Sequence, residues 1–263
     1  MSRLLQVPEG TIPVAYIETL HMLPDGSPRR FRRPLLWPYS KFPHALIVGG
    51  TGSGKTSFFK VMLSSFIRYE PEAELYLCSY KTRMEDFAFL ETGSHFGDFR
   101  SCRDIFEAFF QRFTDRLEGR DKKRTPLILG FDEWGGFLLS LPKKEQEDVL
   151  AKMGQLLMLG RSIGVFVLCA LQRPDAVFFR NGARDNFGLV VAMGNLSSDG
   201  FQMVFPSEFL SALKPCRQIG EGHALIGGFQ FSAIRGVSPK ACTDRNLAAT
   251  FRRQERDDGG TAL

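Results

Sequence analysis

Cysteine is sparse and scattered. Cys78, Cys102, Cys169, Cys216 and Cys242 form no CxxC pair, and the four histidines do not cluster with them. That spacing argues against a structural zinc or a disulfide framework, and for a reducing, cytoplasmic setting. Long apolar runs are missing too. The longest, Ile163–Leu171 with Gly164 apart, falls far short of a membrane span. The start of the chain lacks the apolar stretch and cleavage site of a secretory leader. Neither charge sign dominates: 34 Lys plus Arg against 29 Asp plus Glu leave +5. This mild basic excess is compatible with a nucleic-acid partner without establishing one. There is no internal repeat and no low-complexity tract. At 263 residues, with 43% hydrophobic and 24% charged content, a sizeable core is expected.

The densest chemistry lies between His44 and Ser57. Apolar Ala45–Val48 reads as a short buried strand. Gly49, Gly50, Thr51, Gly52, Ser53, Gly54, Lys55, Thr56 and Ser57 follow as a glycine-rich turn and helix start. Gly49, four variable positions, Gly54, Lys55 and Thr56 complete a phosphate-binding P-loop. Glycines let several backbone N–H groups converge on one anion. The helix opening near Lys55 adds its positive dipole end. Lys55 suits the β- and γ-phosphates of ATP, and the Thr56 hydroxyl suits Mg²⁺. Phe58, Phe59, Val61, Met62 and Leu63 then recur at helical spacing, which separates this motif from an ordinary Gly-rich turn.

Leu127–Phe131 is a further apolar strand ending in Asp132 and Glu133. An aspartate there would hold Mg²⁺ beside Thr56, and the adjacent glutamate would orient and polarise an attacking water. The bland alternative is a surface acidic pair. Val165–Leu171 ends in Gln172, whose amide could sense a γ-phosphate. Glu74–Ser79, Leu189–Met193 and His223–Ile226 read as strands, the last of them closing the core near its edge. Gln146–Leu159 reads as a helix, as does Ile105–Leu117 with its stripe of phenylalanines. Strands alternating with helices predict an α/β fold with a mainly parallel sheet. Residues 1–43 read as a small strand-rich preamble, 44–240 as the core domain, and 241–263 as a charged, mobile or partner-docked tail. Arg29, Arg30, Arg32 and Arg33 could contact phosphates or could simply solvate a hairpin face; both readings stay open.

The order of these motifs resembles the FtsK/SpoIIIE-type DNA translocases, whose superfamily includes the HerA helicases and the coupling ATPases of conjugation. Pro43 and His44 before the P-loop, Ser79 to Lys81, Asp132-Glu133, the Gly160 to Gly164 turn, Gln172 to Pro174, Ala183 to Phe187 and Gly220 to Ile226 carry the resemblance over about residues 40 to 228. It implies a RecA-like P-loop NTPase core that assembles as a ring, usually a hexamer, with ATP between subunits. Arg161 matches the arginine that such motors project into a neighbour's site. As a helix C-terminal residue it could instead compensate the dipole. The loop after Gln172 would then face DNA in a pore, through Arg180, Asn181 and Arg184. The alternative is a surface loop with Phe178 and Phe179 buried.

Two departures bear on function. The chain has no transmembrane segment and no room for an orientation-reading winged helix, and Leu171 precedes the glutamine where threonine is common in the family. The expectation is therefore a compact ATP-driven motor of a plasmid, phage or other mobile element, moving DNA, as a duplex, without sequence preference. It would be cytoplasmic, recruited to the inner face of the membrane by a partner. The alternatives are a coupling ATPase delivering a relaxase–DNA complex to a secretion channel, a non-translocating ATP-dependent scaffold, and, further off, a P-loop kinase.

Overall fold

A computed structural model describes residues 5–82, 86–180, 182–239 and 241–259. In chain order the strands are β1 Ile12–Met22, β2 Pro28–Trp37, β3 Ala45–Gly49, β4 Glu74–Ser79, β5 Phe96–Gly97, β6 Leu127–Asp132, β7 Val165–Leu171, β8 Leu189–Met193, β9 Glu221–Ile226 and β10 Gln230–Arg235. The helices are α1 Lys55–Tyr69, α2 Cys102–Leu117, α3 Trp134–Ser140, α4 Lys143–Leu159, α5 Ser198–Val204, α6 Ser207–Leu210 and α7 Ala241–Gly259. The strands make one sheet in the order β2-β1-β10-β9-β8-β3-β7-β6-β4-β5. From β8 to β5 the neighbours run parallel. From β8 to β2 they run antiparallel.

The expected α/β fold with a mainly parallel sheet is therefore present. The parallel strands β3, β6 and β7 are buried along their whole length, as strands covered on both faces must be. Helices α1 and α7 pack on one face, through Phe58, Phe59, Phe66, Leu247 and Phe251. The opposite face is covered by α2, α3, α4 and α5, with Phe106, Phe109, Trp134, Leu156 and Val204. The phenylalanine stripe of α2 is core as expected, although Leu117 at its end is 45% exposed.

Three readings change with the structure. First, β9 is neither the last strand nor an edge. It lies between β8 and β10, and β10 in turn pairs with β1. Second, the strands of residues 1–43 extend that same sheet and bury Ile12, Val14, Leu35 and Trp37 in the common core. The four arginines sit exposed on the β1–β2 hairpin, where Arg32 pairs with Glu18 at 2.6 Å and Arg29 lies over the Phe31 ring. Third, Ala241–Gly259 form a docked helix. Leu247, Ala248 and Phe251 of α7 are buried, and Arg253 donates to the Pro71 carbonyl at 2.9 Å.

The docking of α7 solves a specific problem. Strand β5 covers β4 only at Leu77 and Cys78, so the backbone of Leu75 would be an open edge. The Leu75 N–H donates to Gln254 Oε1 at 3.1 Å, and Gln254 Nε2 donates to the Leu75 carbonyl at 2.8 Å. One side-chain amide stands in for a missing strand residue. Beside it, Glu255 accepts the N–H groups of Ser94 and His95 at 3.1 and 3.0 Å. Gln254→Leu strands two buried backbone groups, so chemical denaturation should show a loss of about 1–3 kcal/mol. A change within the error of the measurement would mean that α7 does not cap this edge.

Candidate nucleotide site

The site forms where the C-terminal ends of β3, β7, β6 and β4 converge. In register, Val48 of β3 faces Leu171 of β7, Ala170 faces Asp132 of β6, and Asp132 faces Ser79 of β4. The parallel order thus brings the residues that follow all four strands to one rim. The P-loop turns sharply there: Gly52 and Gly54 have φ of +77° and +93°, a region where a side chain is strained. Gly49 has no room for a Cβ, which would meet Ser53 Oγ at 2.6 Å and the Met193 carbonyl at 2.8 Å. Helix α1 starts at Lys55, as the spacing predicts.

Lys55, Thr56, Glu133 and Gln172 line one cavity of about 470 Å³, together with Gly50, Thr51, Gly52, Gly54, Ser57, Lys81, Asp86 and Ile219. Lys55 is buried, and its ammonium donates to Glu133 Oε1 at 2.7 Å. Thr56 Oγ1 lies 3.5 Å from Asp132 Oδ2. Asp132 is fully buried, and that burial pushes its carboxyl above the ordinary carboxylate range against the pull of Lys81 and Lys55. Its Oδ1 and the Ser53 hydroxyl are buried polar atoms with no hydrogen-bond partner among the described residues. A hydroxyl and a carboxylate this close, with one carboxylate oxygen unused, are hard oxygen donors that fit Mg²⁺. Glu133 has φ of +62°, a left-handed conformation that a non-glycine residue adopts at a cost of about 1–3 kcal/mol. It turns the chain sharply from β6 into α3.

Two residues without a role assigned from the sequence also belong to the site. Lys81, the last residue of the Ser79 to Lys81 stretch, donates to Thr56 Oγ1 and Asp86 Oδ2, both at 2.9 Å, and pairs with Asp132 Oδ2 at 3.1 Å. Ile219, 76% exposed, overhangs Gly54 from the loop before β9. Neither carries a local signal, because strand order decides which loops share the rim.

Arg161 is not in this cavity. It is exposed in a single 3₁₀ turn, Gly160–Ile163, just before β7, whereas Gln172 follows β7. The 7-residue strand puts roughly 20 Å between them. Arg161 lines a separate cavity of about 430 Å³ with Pro43, Asp185, Asn186 and Gly227, at the opposite ends of the parallel strands. The turn that carries it is held by buried Arg116, which donates to the Ile163 and Gly164 carbonyls at 3.3 Å. In the loop after Gln172, Phe178 and Phe179 are buried. Arg184 donates to the Pro174 carbonyl at 3.2 Å, and Arg180 is exposed, 3.7 Å from Glu147. Asn181 lies outside the described residues.

The rim, the P-loop and the sheet order define the fold of the RecA-like P-loop ATPases. The family model of the FtsK/SpoIIIE family matches residues 27–108. The chain is 29% identical over 208 residues to the FtsK domain-containing protein YdcQ of Bacillus subtilis (strain 168). That match takes in 73% of this chain and 42% of YdcQ, so the chain spans less than half the length of this relative. Among solved structures, the pCW3 conjugation coupling protein TcpA, in its monomer form with ATPγS, aligns with a TM-score of 0.70 at 17% identity. The alignment covers 92% of this chain and 71% of TcpA. The cytoplasmic domain of the Thermomonospora curvata type VII secretion ATPase EccC aligns with a TM-score of 0.64 at 17% identity, over 94% of this chain and 32% of EccC. The chain is thus similar to FtsK/SpoIIIE-family proteins, over residues 27–108 by the family model and over 208 residues to YdcQ. Among the described residues, no helix is long and apolar enough to cross a membrane.

Gly54→Ala forces a side chain into a left-handed turn, with its Cβ 3.1 Å from the Gly220 nitrogen. Thermal or chemical denaturation should show a loss of about 1–2 kcal/mol. Unchanged stability would mean that the loop accommodates a side chain by changing shape.

Proposed function

We propose that this chain is an ATP-hydrolysing motor subunit that assembles as a ring, of hexameric type, and moves DNA through its centre. The P-loop N–H groups and Lys55 bind the phosphates. Thr56 and Asp132 would hold Mg²⁺, which supplies charge neutralisation on the phosphate oxygens. Lys55 is engaged by Glu133 at 2.7 Å. A phosphate that takes over Lys55 frees the Glu133 carboxylate to accept a proton from water and aim it at the γ-phosphorus. Gln172, at the cavity edge, reads the presence of that phosphate through its amide. These roles extend the resemblance seen in the sequence and the family match.

The observation that carries the assembly is the position of Arg161. It is exposed, and it sits at the far end of β7 from its own P-loop. A side chain so placed cannot touch a nucleotide held by its own subunit, but it can complete a neighbour's site in a head-to-tail ring. There its guanidinium would meet the charge that develops on the transferred phosphoryl group. Arg180, Asn181 and Arg184 are proposed as sequence-independent phosphodiester contacts. Arg184 would do so while tethered to its own loop, and buried Phe178 and Phe179 serve as the loop's anchor, not as stacking platforms. The description of TcpA as a conjugation coupling protein favours a second reading: delivery of a relaxase–DNA complex to a transfer channel, with the chain drawn to the inner membrane face by a partner.

ATP turnover should rise with linear duplex DNA and rise steeply with protein concentration through ring assembly. Stimulation by single strands alone would favour the coupling reading. Turnover indifferent to DNA at every concentration would overturn the motor. Lys55→Ala and Arg161→Ala should each abolish turnover, and mixing the two should restore part of it, because some interfaces then pair an intact P-loop with an intact arginine. No restoration at any ratio would contradict action in trans.

A further inference from the structure

The ladder between β4 and β6 runs one step past the strands themselves, since the Tyr80 N–H donates to the Asp132 carbonyl at 3.0 Å. That step delivers Lys81 to the middle of the rim. Its side chain is 17% exposed, and its ammonium lies 2.9 Å from Thr56 Oγ1, 3.1 Å from Asp132 Oδ2 and 3.8 Å from Glu133 Oε1. Thr56 and Asp132 are the pair that fits Mg²⁺. An ammonium and a divalent cation cannot hold the same two oxygens, because they would repel across a site with little water to screen them. Asp132, buried at the strand end, needs one cation or the other. Lys81 can leave without unfolding anything. Its four-carbon stem is flexible, and Asp86, 2.9 Å away on the outer side, offers a second anion. The cavity it faces is the one lined by Lys55 and Gln172.

We propose that Lys81 is a displaceable cation that holds the metal-directed oxygens of Thr56 and Asp132 and yields them to a divalent ion, then turning its ammonium to the terminal phosphate. The proposal rests on the ATP reading above and deepens it. Free metal must evict Lys81 with nothing to receive it, so it binds weakly. A metal–nucleoside triphosphate brings both the replacement cation and a new anion, so it binds well. A diphosphate brings a shorter anion and should profit less. Lys81 would thereby favour a metal–triphosphate complex over either component alone.

The test is Mn²⁺ binding to the full chain without nucleotide, followed by the electron paramagnetic resonance of free Mn²⁺. Lys81→Met should bind Mn²⁺ about tenfold or more tightly than the wild type, and adding Asp132→Asn should remove the gain. Equal affinities for wild type and Lys81→Met would overturn the proposal. A second measurement needs no variant. Reductive methylation of the wild type, read by mass spectrometry, should modify Lys81 faster when Mn²⁺ is present, and an unchanged rate contradicts displacement. The preference for ATPγS over ADP should shrink in Lys81→Met. A wild type that binds MgATPγS while Lys81 ignores the metal refutes this role alone. A wild type that binds no MgATPγS refutes the ATP reading beneath it.

Discussion

The structure depends on a carboxylate buried among lysines. Asp132 is fully buried at the end of a central strand, where burial works against its ionised form. Two lysines, one following β4 and one opening α1, answer that cost: Lys81 in direct contact, and Lys55 from its place beside Glu133. Removing one partner of such a group is far more costly than never having built it. The surrounding geometry follows from this need. The glycines of the P-loop put Lys55 at the start of α1, and the left-handed Glu133 turns the chain sharply after the aspartate.

The sheet makes the convergence possible. Parallel strands send all their C-terminal loops to one rim, and β7 stands between β3 and β6, so the P-loop and the acidic pair face each other across a cavity. The same polarity carries Arg161 to the other rim. In the proposed assembly, a subunit built this way would contribute part of a catalytic site from each end. The antiparallel extension through β10 and β1 and the docked helix α7 brace the two flanks, one by adding strands, the other by replacing a strand with Gln254.

Much of this was legible in the chain. β7 and β8 have the bounds that the sequence predicts, Val165–Leu171 and Leu189–Met193, because short apolar runs between turn residues leave little choice. The cavity members Lys55, Thr56, Glu133 and Gln172 were legible because each closes or follows a buried strand. What escaped was set by long-range pairing. The alternation of Gln230–Arg235 breaks at Ala233 and Ile234, so the hairpin signal of Gly227 and Gly228 is easily passed over, and only the pairing of β10 with β9 and β1 moves β9 off the edge. Gln254 reads as one more polar residue in a charged helix until Leu75, 179 residues away, is seen to need it. The place of Lys81 in the site followed only from the adjacency of β4 and β6, which spacing along the chain does not encode.

The central claim is that this rim is a nucleotide site whose charges are arranged for a metal–triphosphate. Isothermal titration of the wild-type chain with MgATPγS tests it most directly. Saturable binding of one nucleotide per chain, lost when Mg²⁺ is chelated, is the predicted result. Absence of binding by the folded chain, or binding indifferent to the metal, would contradict it.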